Sequence, residues 1–176
     1  MRGHTQPCHI VHLQRDIRID QIVREHVAGR QEAAVPAAPA SPGLFSANLS
    51  GLGQAQAFND GSLQNEPLNP AAAGTEVVFY GTGFGPMVRE DAEGFGMRPV
   101  LPLTLWVQGW AADIVEAGAP TDETGAYLLA PGVTAVRARI PEGVPPGPAL
   151  SVRMRAGSEF DTPGATLAVS PGVHRP

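Results

Sequence analysis

Residues 81–86, Gly-Thr-Gly-Phe-Gly-Pro, are the stretch most like a known chemical device, the glycine-rich loop that wraps a phosphate group. Glycines after a strand let a backbone approach a pyrophosphate closely. Here the sixth position is Pro86, no Lys-Ser/Thr pair follows, and no helical pattern succeeds the loop. The stretch therefore predicts a structural turn, in which glycines supply positive φ or close packing at a sheet edge.

A second group with chemical potential lies near the start of the chain. It contains three histidines and the single cysteine, namely His4, Cys8, His9 and His12. Nitrogen and sulfur ligands of this kind suit zinc. No second motif completes a fold around a metal, so we expect adventitious binding at most and predict neither a metal site nor a cofactor.

Catalytic side chains are sparse in the rest of the chain. There is no Gly-x-Ser-x-Gly motif, and the two histidines outside the first group, His26 and His174, also lie near the ends. The acidic groups at 90–93 and 122–123 lack the spacing of a calcium loop. An enzyme would need a cleft built from the 87–102 and 118–131 loops with carboxylates alone, so the sequence predicts that the chain is not an enzyme.

Two tryptophans are the best candidates for contact with a ligand or partner. If Leu105 and Val107 face the core, Trp106 stands on the outer face, where an aromatic ring can stack on a sugar. The alternative is that Trp106 covers a neighbouring strand or packs against the N-terminal arm, and that Trp110 plugs the end of the sandwich. Large aromatic side chains are usually buried where a groove exists, which favours this alternative.

Composition limits the class of protein. The 176 residues contain 21 glycines and 18 prolines, which favours short strands with many turns. The net charge is -5 and no basic patch is present, so nucleic acid is not an expected partner. No apolar run reaches the roughly 18 residues of a membrane-spanning helix.

Alternating apolar residues predict strands with one buried face. We expect strands near 77–80, 103–107, 112–117, 133–140, 150–155 and 166–169, a hairpin turn at Asp60-Gly61, and loops at 65–74, 87–102 and 142–148. Many short strands at turn-marked spacing, without an amphipathic helix, predict an all-β fold. The specific expectation is an antiparallel immunoglobulin-like β-sandwich with an irregular N-terminal arm.

The amino-acid composition of the chain changes after a Pro/Ala segment at 35–43. We therefore divide it into an arm and linker at 1–40, a β-sandwich domain at 41–170 and a tail at 171–176. The arm has no apolar core of a secretory signal. Our hypothesis is that the arm is the remnant of a preceding repeat, in a fragment or behind a misplaced start.

Several motifs occur together in one order. They are Ser41-Pro42-Gly43-Leu44-Phe45, Gly53-Gln54-Ala55, Asn59-Asp60-Gly61-Ser62, Asn69-Pro70-Ala71 with Gly74, residues 80–86, and Ile140-Pro141-Glu142-Gly143-Val144-Pro145-Pro146-Gly147. With them, residues 41–170 resemble a family of uncharacterised bacterial modules, the Solibacter-type C-terminal domain of long secreted proteins. The second half is also similar to an IPT/TIG domain, an immunoglobulin-like sandwich.

The resemblance implies a non-enzymatic structural or adhesion module of an extracellular or cell-surface bacterial protein. Its partners would be other domains of a longer parent protein or components of the cell surface. The alternative function is a carbohydrate-binding accessory module that uses the exposed face of Trp106.

Overall fold

The computed structural model describes residues 37–60, 63–89, 95–161 and 164–172. Within these ranges the chain contains fourteen β-strands and no helix. The strands are β1 Gly43–Leu44, β2 Gly53–Gln54, β3 Ala57–Asn59, β4 Leu63–Gln64, β5 Ala71–Ala72, β6 Glu76–Thr82, β7 Met87–Arg89, β8 Phe95–Pro99, β9 Leu103–Val107, β10 Trp110–Pro120, β11 Thr134–Arg139, β12 Gly147–Ala156, β13 Glu159–Phe160 and β14 Ala165–Ser170. The predicted all-β class is confirmed.

Hydrogen bonds join all fourteen strands in one sheet, which curls into a half-barrel. The main path runs β2-β14-β12-β9-β10-β11-β6-β3-β4. Most pairs are antiparallel, but β14 is parallel to both β2 and β5. The sheet is therefore mixed, which corrects the expectation of a purely antiparallel arrangement, because the last strand pairs with segments from the start of the fold.

The core is filled by alternating residues of the longer strands, among them the predicted core residues Leu105 and Val107. Fully buried side chains come from five strands: Val77 and Phe79, Leu105 and Val107, Val136 and Ala138, Val152 and Met154, and Leu167. These side chains belong to one continuous cluster although their strands lie far apart along the sheet path. The curl of the sheet brings them together, and the predicted core face of β9, with Leu105 and Val107 buried, is confirmed.

Three predicted loops contain strands. Residues 87–102 hold β7 and β8, which pair antiparallel as a hairpin, and β8 also pairs with the end of β10. That pairing extends β10 to Pro120, beyond the predicted turn at 118. Ala71 and Ala72 form β5 inside the predicted 65–74 loop, and Gly147 opens β12 inside the predicted turn at 142–148. Short strands rich in glycine, alanine and proline carry no apolar alternation, so periodicity does not detect them.

The predicted hairpin after β3 is present, since β3 and β4 pair antiparallel and Asp60 has a positive φ of 49°. Residues 61–62 of its turn lie outside the described residues. So do the His/Cys group at 4–12, the remainder of the arm to residue 36, and residues 173–176 of the tail. Ala40, in the predicted linker, is only 6% exposed and belongs to the core cluster.

The glycine-rich stretch lies against the first part of the folded chain. Gly43 and Leu44 pair with Thr82 and Gly81, and the Ser41 N–H donates a 2.9 Å hydrogen bond to the Gly83 carbonyl. A Cβ atom at Gly81 would lie 2.5 Å from the Gly43 carbonyl oxygen, and one at Gly83 would overlap the Ser41 carbonyl. We call this contact between residues 39–43 and 81–85 the glycine clamp.

The clamp predicts a large effect of Gly83→Ala. Gly83 has a φ of 75°, so alanine introduces backbone strain together with the overlap at Ser41. We expect the free energy of unfolding to fall by about 3 kcal/mol or more in denaturant titrations.

The matched control is Gly109→Ala, in the turn between β9 and β10. Gly109 has a φ of 84°, but a Cβ there would meet nothing within 4 Å. This variant should lose only about 1 kcal/mol. Equal losses at the two glycines would contradict a steric role for the clamp.

Candidate functional site

Trp106 lies on the face of β9 opposite the buried Leu105 and Val107, and its side chain is half-buried. Its ring stacks on Phe160 with a centroid distance of 5.9 Å and an interplanar angle of 25°. The Arg155 guanidinium lies 5.4 Å from the Trp106 ring centroid. Trp106 thus takes part in an aromatic and cationic stack that joins β9, β12 and β13.

A partly buried ion pair supports the same stack. Asp161 accepts a 2.8 Å hydrogen bond at Oδ1 from Nε of Arg153, and Nη2 of Arg153 donates to the Asp161 carbonyl oxygen at 3.2 Å. The Arg153 guanidinium lies 5.7 Å from the Phe160 ring centroid. The buried Oδ2 of Asp161 has no hydrogen-bond partner among the described residues. The pair fixes the chain just after β13 and so holds Phe160 against Trp106.

Trp110 follows the tight turn made by Gln108 and Gly109, which both have positive φ. Its side chain is 50% exposed. The six-membered part of the ring lies over Gly143, where a Cβ atom would come within 2.8 Å of Cζ3. The structure therefore places the two predicted contact residues in different surroundings: Trp106 inside a stack, and Trp110 against the 142–144 turn with half its surface free.

A buried asparagine that the sequence analysis missed joins distant parts of the chain. Asn65 donates through Nδ2 to the Ala168 carbonyl and to Oδ1 of Asn59, both at 2.9 Å. Its Oδ1 accepts from the Ala168 N–H at 2.9 Å and from Nε2 of Gln54 at 2.6 Å. Asn59 in turn donates to the Asn69 carbonyl at 2.8 Å. We call these residues the Asn65 network.

The network gives a structural role to several motif residues. Gln54, Asn59 and Asn69 belong to three separate motifs of the sequence analysis, and each contributes a polar group to the network. Asn65 lies in a predicted loop without apolar periodicity, so no sequence signal distinguishes it from a solvated asparagine. The amide matters because it is fully buried and its hydrogen-bonding groups are paired.

An apolar pocket of about 590 Å³ opens at one end of the core. It is lined by residues 82–85 and 129–134 together with Met87, Met97, Ala119 and Tyr127. The two loops that an enzyme would have used, 87–102 and 118–131, do meet at this pocket. Among the described residues, none in the lining is an acid, a histidine or an arginine, and most of the lining is apolar binding surface.

Hydrogen bonds and close packing position one wall of the pocket. Tyr127 packs on Gly96, where a Cβ would lie 2.9 Å from its Cε1 atom. In the preceding turn, Oδ1 of Asp122 accepts from Oγ1 and N–H of Thr124 and from the Ala126 N–H, at 2.7 to 3.0 Å. These hydrogen bonds, led by the Thr124 hydroxyl, lower the pKa of Asp122. The carboxylate stays ionised near neutral pH and holds the turn.

The described residues contain no group of three His, Cys, Asp or Glu side chains that could hold a metal ion. In the same ranges, no helix is long and apolar enough to cross a membrane. No protein-family model, no curated protein and no solved structure matches the chain. The resemblance to the Solibacter-type modules and to IPT/TIG domains thus stays a hypothesis that rests on the sequence motifs.

The network predicts that Asn65→Ala is strongly destabilising. The change leaves the N–H and carbonyl of Ala168 buried without their partners. The expected loss is about 3 kcal/mol of unfolding free energy, measured by denaturant titration. Asn48→Ala serves as the control, because Asn48 is exposed and hydrogen-bonds only to Ser50; a loss there as large as at Asn65 would contradict the network's importance.

Proposed function

We propose that the chain is a non-enzymatic structural module that carries tension between neighbouring parts of a longer protein. The observation that supports this most is the parallel pairing of β14 with β2 and β5. The last strand of the fold therefore hydrogen-bonds to two short strands near the start of the fold. The same pairing would serve an adhesion module, which must also resist force while it is attached to a surface.

The relative direction of the paired strands determines how their hydrogen bonds resist a pulling force. When two parallel strands are pulled from opposite ends of the chain, they slide past each other and their cross-strand hydrogen bonds are loaded together. Adjacent antiparallel end strands would instead separate one bond at a time. In this fold, the hydrogen bonds that would carry the force are donated by the N–H groups of Gly53, Ala55 and Ala73. Backbone carbonyl groups of β14 and of the residue before it accept them, at 2.7 to 3.1 Å.

The Asn65 network adds two hydrogen bonds to the same strand. Both backbone groups of Ala168 bond to the Asn65 side chain in a fully buried position. Buried bonds are shielded from competing water, so they resist rupture better than exposed ones. The glycine clamp holds residues 39–43, at the start of the fold, against the end of β6 and the loop that follows it.

An immunoglobulin-like sandwich is the finer fold that we propose within the curled sheet. The long strand β10 changes partners along its length, pairing with β9 at 110–112 and with β11 at 113–118. The strands β6 and β11 on one side of this change, and β9 and β12 on the other, contribute to the same core. Two facing layers joined by shared strands are compatible with a sandwich.

The proposed setting is the outside of a bacterial cell, as part of a longer extracellular or cell-surface protein. The sequence resemblance supports this setting, and the partners would be adjacent domains or cell-surface components. Carbohydrate binding through Trp106 has less support, because Phe160 and Arg155 already contact its ring. The half-exposed Trp110 offers more ring surface for that alternative.

Single-molecule force spectroscopy of the full chain between reference domains tests the proposal. Asn65→Ala should lower the rupture force, because it removes two bonds to the loaded strand. Val136→Ala is the matched comparison. Val136 is fully buried in β11, a strand that does not pair with β14. This substitution should lower the free energy of unfolding by a similar amount, about 2–3 kcal/mol. We expect Val136→Ala to lower the rupture force less than Asn65→Ala. If the two variants are equally stable and their rupture forces fall by the same amount, the proposed role in carrying force is contradicted.

A further inference from the structure

The apolar pocket has no part in the load-bearing role. Its volume of about 590 Å³ lies within the range of small-molecule sites, roughly 300–1,000 Å³. It opens where the core ends, between the glycine-rich loop, the β7–β8 hairpin and residues 127–134. The pocket is a half-open cleft rather than a flat contact surface.

One polar side chain inside the pocket lacks a partner. Thr134 is 4% exposed and lines the pocket at the start of β11. It lies two residues before the core residue Val136 and therefore on the same face of the strand. No described residue hydrogen-bonds to its hydroxyl, whereas the neighbouring Thr82 hydroxyl donates to the Gly132 carbonyl at 2.8 Å. The Thr134 hydroxyl is therefore available to hydrogen-bond to a ligand that enters the pocket.

The remaining lining restricts the chemistry of the ligand. Phe84, Met87, Met97 and Leu129 give the walls an apolar surface, and the two thioether side chains can adapt their shape to different occupants. In the described part of the chain, no lining residue carries a formal charge at neutral pH. An ionic ligand would lose its hydration without gaining a counter-charge, so the lining favours an uncharged molecule.

We propose that this pocket binds an uncharged, mostly apolar molecule of one or two rings that carries a single hydroxyl or carbonyl group. The rings occupy the space between Phe84 and the two methionines. The polar group hydrogen-bonds to Thr134. This binding is separate from the load-bearing role, since the pocket does not include β14 or the Asn65 network.

The test uses the full chain with the neutral fluorescent probe prodan, a naphthalene with one ketone carbonyl, whose emission shifts to shorter wavelength in apolar surroundings. We expect saturable binding of the probe and its displacement by 2-naphthol and by naphthalene. Because only 2-naphthol can hydrogen-bond to Thr134, it should bind about fivefold more tightly. Thr134→Val, which keeps the size of the side chain and removes its hydroxyl, should abolish this preference while naphthalene binding is kept.

A second variant, together with the results that would contradict the proposal, completes the test. Ala119→Phe fills the pocket from β10 and should abolish probe binding, while circular dichroism checks that both variants remain folded. Absence of saturable probe binding, or equal affinity for 2-naphthol and naphthalene in the unmodified chain, would overturn the proposal. Dimerisation that Ala119→Phe abolishes, without any probe binding, would also overturn it and would show that a second copy occupies the pocket.

Discussion

The close approach of two backbones at the glycine clamp is the constraint on which the rest of the fold depends. Residues 81–85 lie so near residues 39–43 that a side chain at Gly81 or Gly83 would collide with a carbonyl group. The clamp fixes the end of β6, which pairs with β1, β3 and β11. Beyond the clamp, Phe84 is buried in the core and residues 83–85 form a wall of the apolar pocket. One steric requirement therefore links the start of the fold, strand β6 and the pocket.

The sequence allowed the buried faces of the fold to be predicted, but not the way in which its ends meet. Strict alternation at Leu105 and Val107, and again at Val152 and Met154, identified strands and their core faces because burial has a period of two in a strand. Parallel pairing of β14 with β2 joins residues more than a hundred positions apart. No local pattern encodes such a register, so a purely antiparallel sheet was the natural expectation.

The candidate sites, too, could be predicted from the sequence only in part. The glycines of residues 81–86 were assigned to a structural turn, and they do pack closely, although the segment that they contact could not be named. Trp106 was recognised as a residue of interest, but its stack depends on Phe160 in the two-residue strand β13. Asn65 and Thr134 gave no signal at all, because the importance of a polar side chain depends on its burial. Their contrast is informative: the amide of Asn65 is fully used within the fold, and the hydroxyl of Thr134 is not.

Native-state hydrogen exchange tests most directly whether the contacts of β14 with the start of the fold hold the molecule together. If they do, the amides of Gly53, Ala55, Ala73 and Ala168 exchange only through global unfolding, with the same free energy as the amides between β9 and β12. The contradictory result would be exchange of these four amides through a local opening of much lower free energy, while the β9–β12 ladder stays protected.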